Sequence, residues 1–429
     1  MPLRASRQVL IRPLRDFLAT ESAGGIAVVG AALVALFWAN SPWRESYQEL
    51  WATALEIRFG SWSIALGLRE LVNEGLMTIF FLVVGLEIKR EVVEGELRDT
   101  SSRAFPIFAA IGGMIVPALI YARITFDGPD QRGWGIPMAT DIALAVGIMT
   151  LARNVKPALK IFLLALAIVD DIGAILVIGI FYSDQIEVGW LAAGCVALAL
   201  AVVLQLARVT VIWVYVLTGF GFWLALHEAG IHATLSGVIL GLLAPTKPYL
   251  SPEMIDENEL TNLGSAQEVA ETTRLARSAI SVVEWLENRL HPWTSFLIVP
   301  LFALANAGIS LSEDSVRAAV VSPVTLGVFI GLLVGKPVGI LTATALAVRL
   351  GAARLPAGVT WSGIAGASLL AGVGFTVSLF IAEVALGSSA ADHARFGILT
   401  ASIAAGTAGL LVLRRAHSDK FSSPREPAA

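Results

Sequence analysis

Four ionisable side chains stand deep inside long apolar runs of this sequence. The run 161–182 has 22 residues, and Asp170 and Asp171 take its tenth and eleventh places. The run 133–151 has 19, with Asp141 ninth, and the run 321–348 has 28, with Lys336 sixteenth. Where such runs cross a bilayer, all four groups sit near its centre, and each costs about 2.5–3.5 kcal/mol. Unpaired, the set costs about 10–14 kcal/mol, comparable to the whole stability of an ordinary domain, about 5–15 kcal/mol. A purely structural ion pair accounts for one Asp with Lys336 and leaves two carboxylates without a cation. Neighbours on a helix point about 100° apart, so Asp170 and Asp171 cannot share one proton face to face. One is placed to meet Lys336, the other to face a water-filled cavity. Burial makes a carboxylate hold its proton, and a nearby lysine makes it let go. A site balanced in this way binds protons near neutral pH and releases them when a cation arrives. Hard cations such as Na+ or Li+ prefer oxygen ligands, by extension of the rule for Ca2+ and Mg2+. Asp171, Asp170, Asp141 and hydroxyls such as that of Thr140 supply them. Cation and proton then compete for the same oxygens, which is the least that exchange requires.

Such groups need a bilayer around them, and the composition implies one. Of 429 residues, 56% are apolar and 15% charged, against about 45–50% and about 25% in ordinary globular chains. Mean hydropathy is +0.75. A single Cys excludes a disulfide scaffold, and a net charge of −4 leaves no nucleic-acid footprint. A crossing helix needs about 20 apolar residues. Twelve such runs begin near Gly24, Leu71, Phe105, Gly133, Pro157, Val188, Val209, Gly230, Trp293, Val321, Trp361 and Phe396. They are continuous rather than alternating, which argues against transmembrane strands. If both ends are cytoplasmic, 22 of the 30 Lys and Arg residues fall inside, 7 fall outside, and Lys336 lies within a span. That bias follows the positive-inside rule. The expected organisation is a cytoplasmic segment 1–23, one transmembrane domain over 24–415 and a cytoplasmic tail 416–429. The arginines ahead of the first run also fit a signal peptide, but no convincing cleavage site follows, so the first span reads as uncleaved.

Two extramembrane pieces stand out. Over about 52–66, Leu55, Ile57 and Phe59 alternate with Glu56 and Arg58, then Gly60-Ser61 precedes Trp62 and Ile64. This reads as a short periplasmic hairpin, with an irregular loop as the alternative. Its free edges can pair with a second copy, giving a homodimer. The cytoplasmic loop of about 245–292 is acidic, with Glu253, Asp256, Glu257, Glu259, Glu268, Glu271, Glu284 and Glu287. Within it, Leu275, Ala279, Val282, Val283, Leu286 and Leu290 recur at helical spacing, which reads as a surface helix or else a solvated linker.

Span four contains Gly133-Trp134-Gly135-Ile136-Pro137, and span eleven Gly372-Val373-Gly374-Phe375-Thr376. Such runs break membrane helices only where protein or a cavity lines them, though Gly also serves as a packing face. Spans three to five start from the cytoplasm, ten to twelve from outside, and the interrupted helix is the middle one of each. The expected fold is therefore all-α, with twelve transmembrane helices, inverted-topology repeats and discontinuous spans four and eleven. The opposed half-helix ends would carry partial charges that Asp141 and Lys336 neutralise.

The strings Phe80–Glu91 (FFLVVGLEIKRE), Ala139-Thr140-Asp141, Ala165–Asp171 (ALAIVDD), His232-Ala233-Thr234-Leu235 and Gly335-Lys336-Pro337 resemble the bacterial NhaA-type Na+/H+ antiporters, which also serve as the standard example of inverted repeats. The similarity runs from about residue 16 to 415. It implies an electrogenic exchange of two protons for one Na+ or Li+ across the bacterial inner membrane, activated at alkaline pH. It implies Asp171 as principal cation ligand, Asp170 as the proton-linked partner of Lys336, and Asp141 with Thr140 at the helix crossing. It ties Glu87, Glu287 and His232 to the pH response, His232 being equally readable as a helix-packing residue, and it favours a dimer. Asn288, where a histidine is familiar, departs from the pattern.

No cofactor and no enzymatic activity are expected, and the partners are Na+, Li+, H+, membrane lipid and a second copy. A sodium-coupled symporter of an organic anion would need a second polar cluster within the spans. An intramembrane aspartyl protease would need its Asp residues on separate helices in a Gly-x-Gly-Asp context, and a channel needs no proton-exchangeable carboxylate pair.

Overall fold

The computed structural model describes residues 23–59, 62–95, 100–152, 155–183, 186–207, 209, 211–246 and 281–418. The amino-terminal arginines, the turn Gly60-Ser61, Arg98, Arg153, Arg208, the loop from Lys247 through its six carboxylates Glu253 to Glu271 and on to Leu275 and Ala279, and the tail cations Lys420 and Arg425 lie outside the described residues.

The chain is mostly helical. Helices α1 (Ala23–Ala39) and α2 (Arg44–Ala52) lead into strands β1 (Ala54–Phe59) and β2 (Trp62–Gly67), which pair antiparallel with Ala54 opposite Gly67 and Phe59 opposite Trp62. Next come α3 (Leu68–Val93) and α4 (Thr100–Ile124), a 3-10 segment over Pro129–Met138, α5 (Ile142–Leu151) and α6 (Pro157–Phe181). They are followed by α7 (Val188–Leu206), α8 (Ile212–Glu228) and α9 (Leu235–Leu243). Helix α10 (Val282–Trp293) is joined by a π-turn over Thr294–Ile298 to α11 (Val299–Asn306), and α12 covers Glu313–Val321. The last elements are α13 (Pro323–Arg349), α14 (Trp361–Ala371), α15 (Phe375–Ala385) and α16 (Ser388–Ser418).

Among the described residues, six helices are long and apolar enough to cross a membrane, or nine where each bent pair is one span. The bent pairs are α1 with α2 at 114°, the 3-10 segment with α5 at 45°, and α14 with α15 at 44°. The apolar runs read as spans seven and eight fall on shorter helices, α8 with 17 residues and α9 with 9, and the ninth on the end of the helix that continues from α10 through the π-turn to Asn306.

The chain divides into two compact units. The first takes the described residues up to Asn73, those from 100 to Tyr182, and those from Ser295 onward. Its core joins α4, α5, α6, α13, α14 and α16 through Phe105, Met149, Phe162, Leu166, Ile340, Leu370 and Leu413, all buried. With lipid as apolar as leucine, close packing rather than the hydrophobic effect must hold these helices together, and small residues permit it. Helices α4 and α13 meet backbone to backbone at Gly112 and Gly339. A Cβ on Gly339 would lie 2.0 Å from the Gly112 carbonyl oxygen, and one on Gly112 would lie 2.2 Å from that of Gly339. One residue along, Gly113 faces Ile340 and the Lys336 stem. This contact sets the line from which Lys336 projects.

The second unit holds residues 74–95 of α3 and its C-terminal end, α7, α8, α9 and α10. Helices α3 and α9 run in the same direction, with contacts passing from Thr78 and Gly237 to Gly85 and Gly241. The periodic apolar residues of the acidic loop enter the described structure at α10, which starts on the Ser281 side chain (Oγ accepting from Glu284 N, 3.1 Å). Val283 and Leu286 pack there on Leu82, Leu86 and Ala244.

Gly339→Ala should force α13 off α4 and cost about 1–3 kcal/mol, the usual penalty for overpacking. Thermal unfolding in detergent checks this, and an unchanged midpoint would show that the contact can relax.

Candidate functional site

Asp170 and Asp171 sit midway along α6, both buried. Lys336 follows a π-turn over Gly331–Gly335 in α13 and is fully buried. Its Nζ lies 2.9 Å from Asp170 Oδ2 and also donates to the Met138 carbonyl, the last residue of the 3-10 segment. A carbonyl at a helix end is partly negative, so the ammonium answers two negative groups at once. Thr140 Oγ1 stands 2.8 Å from the same Asp170 oxygen and 3.0 Å from the Ala371 carbonyl at the end of α14. Its single hydroxyl hydrogen can serve only one of these acceptors at a time. Asp170 Oδ1 is buried without a hydrogen bond. Asp171 lies one residue on, turned about 100° away by the helical step.

Asp141 is the N-cap of α5, its Oδ1 accepting from Leu144 N at 3.0 Å. Its Oδ2 accepts from both the backbone N (3.0 Å) and the Oγ1 (2.7 Å) of Thr376, in the first turn of α15. One carboxylate therefore faces two helix amino ends, each equivalent to about +0.5 charge. The two breaks are stitched directly as well, since Asp141 N donates to the Val373 carbonyl (2.7 Å) and Ser378 Oγ to that of Ile136 (2.8 Å). Carbonyls and amides freed by the breaks thus find partners across the crossing, as a hydrocarbon interior requires.

The structure therefore brings Asp170, Asp141, Thr140 and Lys336 together, with Asp171 beside them on α6. The three residues associated with pH response lie in the second unit and do not form one group. Glu87 is 4.0 Å from His291, and Glu287, on the same helix as His291, is paired with Arg90. His232 precedes α9, at the end that packs toward Thr78 rather than toward Glu87. Burial pushes the Glu287 carboxyl above its ordinary value, and the Arg90 guanidinium and then His291 pull it back.

Some polar groups were not singled out from the sequence. Thr376 completes the cap on Asp141. Glu74 Oε2 is 2.8 Å from His227 Nδ1, and the Trp223 ring stacks on His227 at 5.4 Å and 6°. An acid three residues into the apolar run of span two, and a histidine four residues after a tryptophan on α8, were the signals available for that pair. Tyr121 and Tyr182, both buried, carried no signal in the sequence.

Apolar helices around an ionisable interior define a multi-pass membrane protein. Residues 15–413 match the family described as Na+/H+ antiporter 1. The chain is 43% identical to an Na+/H+ antiporter NhaA 2 of Sorangium cellulosum, over 100% of this chain and 96% of the relative. It is 44% identical to the NhaA of Rhodopirellula baltica over 94% of each, and 44% identical to an NhaA 2 of Myxococcus xanthus over 96% of this chain and 91% of the relative. The chain belongs to the NhaA-type Na+/H+ antiporter family.

Two outcomes follow from the geometry. Lys336→Met leaves a buried carboxylate unpaired and should cost about 3–5 kcal/mol, whereas adding Asp170→Leu should recover most of it. Equal losses in unfolding experiments on the single and double variants would reject the pairing. For Glu287, a folded-state pKa above the unfolded value means that its favourable contribution is complete at low pH and is lost as pH rises through the raised value. Melting curves of the parent should therefore fall away from those of Glu287→Gln as pH rises above the ordinary carboxylate range, and parallel curves would contradict the effect of burial.

Proposed function

We propose that the chain exchanges cytoplasmic Na+ or Li+ for external H+ by alternating access, with two protons per cation and activation at alkaline pH. The family's members are transporters and not enzymes, and this chain is a sodium-transporting antiporter of the membrane. The observation that carries the finer reading is the gathering of Asp170, Asp141, Thr140 and Lys336, with Asp171 beside them, where two interrupted helices cross.

In this reading Asp171 is the principal cation ligand, helped by Asp170, Asp141 and Thr140. Three carboxylates against one ammonium carry two negative charges. Two protons neutralise the set and one Na+ leaves one charge over, so the two loaded forms differ by one charge, as electrogenic exchange demands. Asp170 holds Lys336 while ionised. When Asp170 takes a proton on Oδ2, that oxygen can donate to Thr140, whose own hydrogen then turns to the Ala371 carbonyl. The nearly equal bends of 45° and 44° support inverted repeats over spans three to five and ten to twelve. The reading takes twelve spans with both termini cytoplasmic in the bacterial inner membrane, and a homodimer joined through the β1–β2 hairpin. It assigns pH response to Glu87, Glu287 and His232.

A symporter of an organic anion and an intramembrane protease are not favoured. Asp170 and Asp171 share one helix, and Lys336 has no part in protease chemistry.

Everted membrane vesicles test the proposal. Added Na+ should collapse a preformed pH gradient, and Asp171→Asn should reduce that response at least about a hundredfold, the scale of losing a charged ligand to a buried cation. Parent-like rate and apparent Na+ affinity in Asp171→Asn would refute the site.

A further inference from the structure

A cation site assembled from two chain segments is only as precise as the joint between them. Asp170 and Asp171 ride on α6, while Thr140 and Asp141 ride on the break that ends the 3-10 segment. That segment is a poor rod. It runs for ten residues, departs from helical geometry at Asp130 (φ −94°, ψ 16°), and contains Gly133, Gly135 and Pro137. Runs of 3-10 helix longer than 3–4 residues are uncommon because their hydrogen bonds are poorly aligned. Its placement must come from outside.

Ser378 and Lys336 hold its site end through the Ile136 and Met138 carbonyls, and two tyrosines hold the rest. Tyr182, the residue that ends α6, is buried, and its hydroxyl accepts from Gly135 N at 3.0 Å and donates to the Arg132 carbonyl at 2.5 Å. A Cβ on Gly135 would lie 2.7 Å from that hydroxyl, so only glycine admits the ring. Trp134 packs over Phe181 at 5.2 Å and over Tyr182 at 6.3 Å. Tyr121, fully buried on α4, donates to the Asp130 carbonyl at 2.9 Å, with Gly133 against its hydroxyl. The two attachments differ in what they join. Tyr121 ties the segment to α4, which carries no site residue. Tyr182 ties it to the aspartate helix itself.

From Asp171 to Tyr182 is three helical turns, about 16 Å at 1.5 Å per residue. Counting about 2.0 Å per residue of 3-10 helix to Met138 and about 3.3 Å for each of the two extended residues after it, Gly135 to Thr140 spans about 13 Å and Arg132 to Thr140 about 19 Å. The two segments therefore lie alongside one another, joined at one end by Tyr182 and at the other by Thr140 on Asp170. Releasing the Tyr182 end lets the segment pivot about the site and changes the spacing of the oxygens that a cation meets. A misplacement of about 1 Å is enough to weaken such a site strongly.

We propose that Tyr182 is a positioning residue for transport, its hydroxyl pinning the 3-10 segment to α6 and so setting the distance between Thr140–Asp141 and Asp170–Asp171. This rests on the reading of those residues as the cation site. Loss of the pin should appear as weaker cation affinity, with turnover at saturation retained.

The test is Na+-dependent proton exchange by the full-length protein in proteoliposomes, with KM and kcat separated and the thermal midpoint measured in parallel. Tyr182→Phe should raise the KM for Na+ about fivefold or more, the scale of one buried hydrogen bond, with kcat within about twofold. Gly135→Ala, which displaces the ring, should do the same, and the double variant should be no worse than the poorer single one. Tyr121→Phe should lower the thermal midpoint and leave KM alone. An unchanged KM in folded Tyr182→Phe overturns the proposal, as do multiplying effects in the double variant. A Tyr182→Phe protein that cannot be recovered folded overturns it too, because the hydroxyl would then support the fold rather than the site. Asp171→Asn run alongside separates the two readings. If it exchanges like the parent, the site assignment fails; if it fails to exchange while Tyr182→Phe is unaffected, only the positioning role does.

Discussion

The structure depends on how charge is matched at the crossing of two interrupted helices. In hydrocarbon nothing else solvates it, and an isolated ion of this size costs several kcal/mol even after relaxation. Asp141 meets two helix amino ends, while Lys336 meets Asp170 and a helix-end carbonyl. In the proposed exchange, those matches leave the Asp170–Asp171 step of α6 as the place where charge changes. A site in which every group was matched by a fixed partner would be a stable core and would carry nothing.

The crossing also solves a backbone problem. Breaking a helix frees amides and carbonyls that lipid cannot satisfy. Here the freed groups satisfy each other or are met by the hydroxyls of Thr140 and Ser378, which reach without adding charge, and by the Asp141 carboxylate. The two breaks are consequently one feature. Neither could persist at this depth if the other were a continuous helix, because each supplies the other's hydrogen-bond partners.

How much was legible in the sequence follows from this. Asp170, Asp171, Asp141 and Lys336 were conspicuous because charge inside an apolar run demands a reason, and the Gly and Pro runs beside them marked the interruptions. Helical geometry and cost argued that one of the two neighbouring aspartates meets Lys336, and only the family resemblance pointed to Asp170. What could not be read is anything depending on which distant segment returns. Thr376 reaches Asp141 across 235 positions of sequence, and a threonine in an apolar run is unremarkable until its neighbour is known. Glu87 and Glu287 are 200 positions apart in a chain of 429, and nothing local told that Arg90 and His291 stand with them while His232 belongs elsewhere. Span counting met a similar obstacle: an apolar run reports burial or lipid, but α9 is too short for the run to define a full crossing by itself.

The π-turn ahead of Lys336 shows how local backbone and remote packing combine. An extra residue in a helical turn advances the following residues by about 100° relative to a regular helix. Before the advance, Gly331 faces Pro137 of the 3-10 segment; after it, Gly335 faces Pro117 of α4, and a Cβ at either would come within 2.9 Å of its neighbour. Both glycines thereby seat α13 tightly while Lys336, the next residue, is aimed at Asp170 and Met138. Gly331 meets Pro137 and the Pro117 carbonyl, and Gly335 meets Pro117 and Ile120, so both glycines hold α13 against α4 within the six residues that end on Lys336. The π-turn is thus the local cost at which α13 reconciles close packing with the placement of its one buried charge.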